Sequence, residues 1–136
     1  MMVLAHVEIA DLIEGAGTTC FVGDPPRNVP VPFCFILGAV PTGRARLLAR
    51  TDRNVDEPLV VRVVAKQAPD ALILAAEVAA LLDEAQITID GWRVFPLRVE
   101  HSDPVMTDRT AFNEQSNTYP AWVNLHVRLR ATKELP

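Results

Sequence analysis

The sequence predicts an α+β domain, a single mixed or antiparallel β-sheet flanked by two main helices. Three observations predict it. Residues 2–14 and 69–85 carry apolar side chains at helical spacing, the segments 18–22, 33–38, 59–65, 92–100 and 121–130 run apolar or alternate as strands do, and glycines and prolines punctuate the chain between them. Helices laid over one sheet bury both sets of apolar faces. A length of 136 residues suits one domain, 1–136, with a core of its own. A composition 49% hydrophobic and 22% charged is that of an ordinary globular protein and sets aside collagen-like, coiled-coil and disordered chains.

Each element has a local reason. In 2–14, Val3, Val7, Ala10 and Ile13, with Ile9 beside them, form an apolar arc opposite Glu8 and Asp11, and Gly15 and Gly17 end the helix. The short strand TTCFV follows, then the turn GDPPRNVP, whose prolines forbid regular structure. FCFILG, 33–38, is a continuous apolar run between turn signals and reads as a buried central strand. Residues 41–58 are a long connection with room for a strand of their own, and LVVRVVA, 59–65, is a valine-rich strand broken by Arg62.

Pro69 suits the first position of a helix reaching about Ala85, because its missing N–H has no intrahelical partner there anyway. Residues 87–89, the turn Asp90-Gly91 and 92–100 read as a hairpin-like passage, with Pro96 marking a sheet edge or bulge. Residues 101–118 form a polar loop without a period. The final segment is the cleanest: Ala121, Val123, Leu125, Val127 and Leu129 alternate with Trp122, Asn124, His126, Arg128 and Arg130, a strand with one apolar and one polar face.

A formal net charge of −4 argues against a protein whose main task is wrapping nucleic acid. The N-terminus lacks a basic region, carries Glu8, Asp11 and Glu14, and does not read as a signal peptide; the uncharged stretch 28–43 is too short and too rich in proline to span a bilayer. Cys20 and Cys34 sit in short apolar runs, as buried small hydrophobes or as a cross-strand disulfide, in a chain expected to be made in a reducing cytosol.

Candidate chemistry is sparse. His6 lies on the apolar arc of the first helix as a satisfied core or interface histidine, and His126 alternates outward from the last strand as a surface residue. His101-Ser102-Asp103 holds the residue types of a catalytic triad, but neighbours on one loop do not converge as a triad must. Metal-ligand spacings such as HExxH, HxxxH or paired cysteines do not occur, and Gly15-x-Gly17 precedes a strand rather than joining a strand to a helix. The reading is therefore of no catalytic, cofactor-binding or metal residue, and no enzyme.

The second helix is more informative. Asp70, Glu77 and Glu84 form one narrow charged stripe, with Asp83 the only other charge, while leucine, valine and alanine occupy nearly everything else. Such a helix is either buried on two sides, with Ala79, Ala80, Glu77 and Glu84 at a subunit interface, or covers an alanine-rich core alone. Arg44, Arg46, Arg50 and Arg53 concentrate positive charge in 41–58, either to face phosphate, a partner or a lumen, or as a solvated loop.

The ending YPAWVNLHVRLRAT, preceded by GWRVFPLRVEHSDPV and RTAFNEQSNT, resembles the tail terminator proteins of long-tailed (siphovirus-type) bacteriophages. The PxPF-like turn at 30–33, the strand and helix LVVRVVAKQAPDALILAAEVAALLDEA and the ID-GW-like passage at 89–92 extend the likeness over nearly the whole chain. It rests on the succession of elements, since no position matches a residue-specific motif. The resemblance implies a non-enzymatic virion protein without cofactors. It would form a hexameric ring that caps the tail tube, ends tube polymerisation and presents the head-joining surface. Its partners would be copies of itself, the tube protein and a head–neck connector, with phage DNA passing through unbound and no membrane involved. It would be assembled in the host cytoplasm and end in the tail. The competing expectations are a cytosolic dimeric α+β ligand-binding or enzymatic domain, with a cleft edged by 101–118, and another neck or head-completion protein.

Overall fold

A computed structural model describes residues 2–38 and 54–134. The architecture is α+β, and the described residues form two helices and a mixed seven-stranded sheet. In chain order the elements are α1 (Met2–Gly15), β1 (Cys20–Val22), β2 (Phe33–Gly38), β3 (Asn54–Ala65), α2 (Ala68–Leu82), β4 (Trp92–Val94), β5 (Arg98–Ser102), β6 (Met106–Thr107) and β7 (Ala121–Lys133). The order across the sheet is β1-β2-β3-β7, after which β6, β5 and β4 share the far edge of β7 in turn. Among the described residues only β1–β2 is parallel. No helix among the described residues is long and apolar enough to cross a membrane.

The strand pair β3–β7 is the frame, with twelve residue pairs from Asn54 opposite Thr132 to Ala65 opposite Ala121. β3 begins well before the valine-rich run, taking in Asp56, Glu57 and Pro58 from what reads in sequence as connection. Pro58 fits because β2 pairs with β3 only from Leu59 onward, so among the described residues the proline sits where β3 has no second partner to serve. The turn Asp90-Gly91 forms, with Gly91 at φ 82, but residues 87–89 contribute a single bridge, Ile89 to Trp92, and β4 pairs with β7 instead. Phe95-Pro96-Leu97 divides the expected strand 92–100 into β4 and β5, as a proline at a sheet edge should. The polar 101–118 segment is less irregular than its composition suggests. It begins inside β5, contains β6, and closes with the bridge Asn113–Thr118.

Both helices pack on one face of the sheet, where Val61, Val63, Val123, Leu125, Val127 and Leu129 are buried. α1 buries Ala5, His6, Ile9, Ala10 and Ile13, a face rotated from the expected arc, so Val7 lies 42% exposed. Gly17, at φ 103, takes the left-handed conformation that lets the chain leave the helix for β1. α2 buries Ala71, Ala75, Val78 and Leu82 and ends at Leu82, three residues earlier than expected. The stop has visible causes: Asp83 turns extended, Glu84 adopts φ 65, the Glu84 amide donates to the Leu97 carbonyl at 2.7 Å, and the Asp83 Oδ1 accepts from the Val99 amide at 3.0 Å. Glu84 therefore leaves the helical stripe and Asp83 ties the helix end to β5.

Leu82 is the one large, fully buried side chain of a helix that otherwise anchors itself with alanines and Val78. Leu82→Ala should lower the stability of the fold by about 2–5 kcal/mol, whereas Ile73→Ala, at a residue 60% exposed, should change it by less than about 0.5 kcal/mol. Urea denaturation, followed by circular dichroism, distinguishes the two; equal losses would mean that α2 is not seated as described.

Candidate functional site on the outer face of the sheet

The alternation along β3 and β7 places a second set of side chains on the face opposite the helices, and there the polar chemistry gathers. Across β2, β3 and β7 the register sets Phe35, Arg62 and Asn124 in one row, and Phe33, Val64 and Trp122 in the next. The Arg62 guanidinium lies 5.6 Å from the Phe35 ring centroid and 5.3 Å from that of Trp122, while its Nε donates to Asn124 Oδ1 at 2.8 Å. An arginine accounts for the break in the valine run because its stem packs on aromatic faces while its head serves a polar row.

The next row toward the C-terminal end of β7 holds two histidines. His101 on β5 stands opposite His126 on β7, their rings stacked with centroids 4.1 Å apart and planes at 12°. A β-bulge creates this pairing. Val99 pairs with Val127, Glu100 is the extra residue, and His101 then pairs with His126. In an unbroken ladder Glu100 would face His126 and His101 would face Leu125, on the core side. Asp103, just past β5 and fixed by its amide to the Asn124 carbonyl at 2.9 Å, accepts a hydrogen bond at Oδ2 from His126 Nε2, also at 2.9 Å. That bond, foremost, holds the Asp103 carboxyl below its ordinary value, with Asn124 and His101 adding to it. His101, Asp103 and His126 thus each offer a nitrogen or oxygen ligand atom, all within 4.8 Å of one another.

Beyond the histidines, Arg128 grips Asp56 of β3 with Nε at 2.6 Å and Nη2 at 3.1 Å, and reaches Glu100 of β5 at 3.4 Å. The Asp56 bond is the main reason its guanidinium is held more firmly protonated than usual. This fork ties both neighbours of β7 across the strand, although an ion pair with this much solvent access adds only about 1 kcal/mol or less.

The residues singled out in the sequence fall in different places. Glu77 and Ala80 are exposed on α2, Ala79 is half-buried against the hydrophobic core, and Glu84 lies beyond the helix. Arg44, Arg46, Arg50 and Arg53 lie outside the described residues. His126 does face outward, but not as a lone surface residue. The proximity of His101 and Asp103 is real, and the partner that completes the group comes from 23 residues further along. Cys20 and Cys34 are register partners in β1–β2, both free and buried, and burial pushes each thiol up to about 12. His6 is a core histidine as expected but not a satisfied one: its Nε2 is buried without a hydrogen-bond partner among the described residues.

The described residues offer shallow clefts rather than a deep pocket. One, of about 430 Å³, lies between α2 and the turn before β2, near Val31, Lys66 and Ile73; another, of about 300 Å³, runs between α2 and β5, near Leu72, Ala76 and Val99. Compared with models of known protein families and with curated proteins, the chain matches none.

Burial lowers the pKa of His6 from 6.5. The unfolded chain then binds the proton more readily than the native one, so the neutral histidine's contribution is intact above 6.5 and is lost as the pH falls through that value. Replacing His6 by Leu should flatten this part of the stability–pH curve. Denaturation midpoints between about pH 7.5 and 5.5 measure it, and an unchanged slope in the variant would refute the assignment.

Proposed function

We propose that this chain is a structural, self-assembling protein of the phage tail terminator kind. In this reading it builds a hexameric ring that closes the end of a tail tube and offers a surface to the head. The single observation that carries the reading is the outer side of α2. After burying Ala71, Ala75, Val78 and Leu82, the helix still presents Leu72 at 51% and Ile73 at 60% exposure, continued by the exposed Ala76 and Ala80. An apolar stripe of this kind on a small domain marks a surface for another protein, and small alanines let a neighbouring backbone approach closely. The whole-chain succession of elements that resembles tail terminators supplies the partner: a second copy of the same chain, repeated around a ring.

The charge balance supports the same reading. At −4 overall, a ring would carry a net repulsion toward DNA threading its centre and would not grip it. The tube protein and a head–neck connector are the remaining partners in this proposal, the virion tail its destination, and no catalytic step belongs to it. Among the described residues three clefts border α2 itself, as grooves beside an interface do.

Ala80→Arg and Ile73→Glu place charge on the stripe without touching the protomer core, unlike a change at Ala79. Both should leave the far-ultraviolet dichroism unchanged and shift the assembly from ring to monomer, with at least about a tenfold loss of association, worth 1.4 kcal/mol or more. Light scattering and negative-stain microscopy, with and without tail tubes, read this. A chain that stays monomeric or dimeric with tubes present, or rings that survive both substitutions, would overturn it.

A further inference from the structure

We propose that His101, Asp103 and His126 form a binding site for a divalent transition-metal ion of the zinc, cobalt or nickel type. The inference goes beyond the assembly reading, since it rests on three side chains of one protomer and requires no second copy. Two imidazoles and one carboxylate are the donor set that such ions take, whereas calcium and magnesium favour oxygen alone. All three ligand atoms already lie within 4.8 Å of one another. A zinc ion with bonds of about 2.0–2.2 Å needs its ligands roughly 3.4 Å apart, so the exposed His101 has to swing out of its stack on His126, where the ring planes lie 12° apart, until the two imidazole lone pairs converge on the ion.

The ion would take the place of the proton now shared between His126 Nε2 and Asp103 Oδ2 at 2.9 Å. His101 is exposed and the other two are part-exposed, so an ion can enter and water can complete its shell. The supporting groups are also present. Asn124 fixes the Asp103 backbone, its carbonyl accepting from the Asp103 amide at 2.9 Å, and its side chain is held by Arg62 Nε, so the oxygen ligand is steered by a neighbour. The bulge at Glu100 aims His101 at this spot, and bulges of this sort recur where a side chain must be re-aimed. Bound metal would clamp the chain just past β5 to the middle of β7, pinning the start of the segment that leads to β6.

The test uses the full chain stripped with a chelator. Cobalt(II) is titrated in and followed by its visible absorption, and zinc(II) is titrated calorimetrically, both on the wild type and on His101→Ala, His126→Ala and Asp103→Asn. One equivalent per chain is expected, with affinity reduced about tenfold or more in each variant, together with a zinc-dependent rise in melting temperature in the wild type that the variants lack. Because His101 is exposed, His101→Ala keeps the test valid should His126→Ala fail to fold. Absence of saturable binding overturns the proposal. So does binding undiminished by His101→Ala and Asp103→Asn, for instance at the buried thiols of Cys20 and Cys34. Ring assembly is read separately, by light scattering, so a failure there leaves this result intact and the reverse.

Discussion

The antiparallel pairing of β7 with β3 is the constraint on which the rest of the molecule depends. Twelve consecutive pairs hold the two strands in one register, and the opposite edge of β7 is divided among three short strands that could not stand alone. Because side chains alternate, this one register assigns Val123, Leu125, Val127 and Leu129 to the core and Trp122, Asn124, His126 and Arg128 to the other face. A slip by one residue would exchange the two sets. Core and candidate site are therefore two consequences of one ladder, and a change that loosens the ladder touches both.

Much of this was legible in the sequence. The alternation of 121–130 announced β7 and its apolar face, the valine-rich 59–65 announced the centre of β3, and Pro69 announced the start of α2. What was not legible depends on contacts remote in sequence. Val7 reads as apolar-arc and lies exposed because the packing angle of α1, not its pattern alone, decides which side faces the sheet. The helix expected to reach Ala85 stops at Leu82 because the Leu97 carbonyl and the Val99 amide claim Glu84 and Asp83. Glu84 thereby drops out of a charged stripe that a helical wheel draws without seeing those partners.

The histidine group illustrates the same limit more sharply. His101, Asp103 and His126 follow no ligand spacing that can be searched for along a chain, since the group is assembled by a strand register and a bulge. An unbroken β5 would send His101 toward Leu125 and the core, and no periodicity argument predicts that Glu100 is the residue left over. The signals available were weaker: a polar face on β7 carrying a histidine, and a segment entering its neighbourhood with both a histidine and an aspartate. Together they could have suggested a meeting, but not its geometry.

The two surfaces with unspent chemistry lie on opposite sides of the sheet. The apolar stripe of α2 belongs to the helical layer, while His101, Asp103 and His126 project from the other face. Association through α2 would cover the cleft that His101 borders, while His126 and Asp103 stay on the opposite face. A metal clamp, conversely, would stiffen the ladder at its middle without altering which residues α2 presents. The two surfaces also meet, because His101 and Ser102 line the same cleft as Leu72, Ala76 and Ala79. Asp83 bonds the Val99 amide, one residue before the bulge at Glu100, so the end of α2 and the aim of His101 are set by the same short piece of β5. That piece of chain and the cleft shared by Leu72, Ala76 and His101 are the physical routes by which a displacement of α2 would reach the outer face.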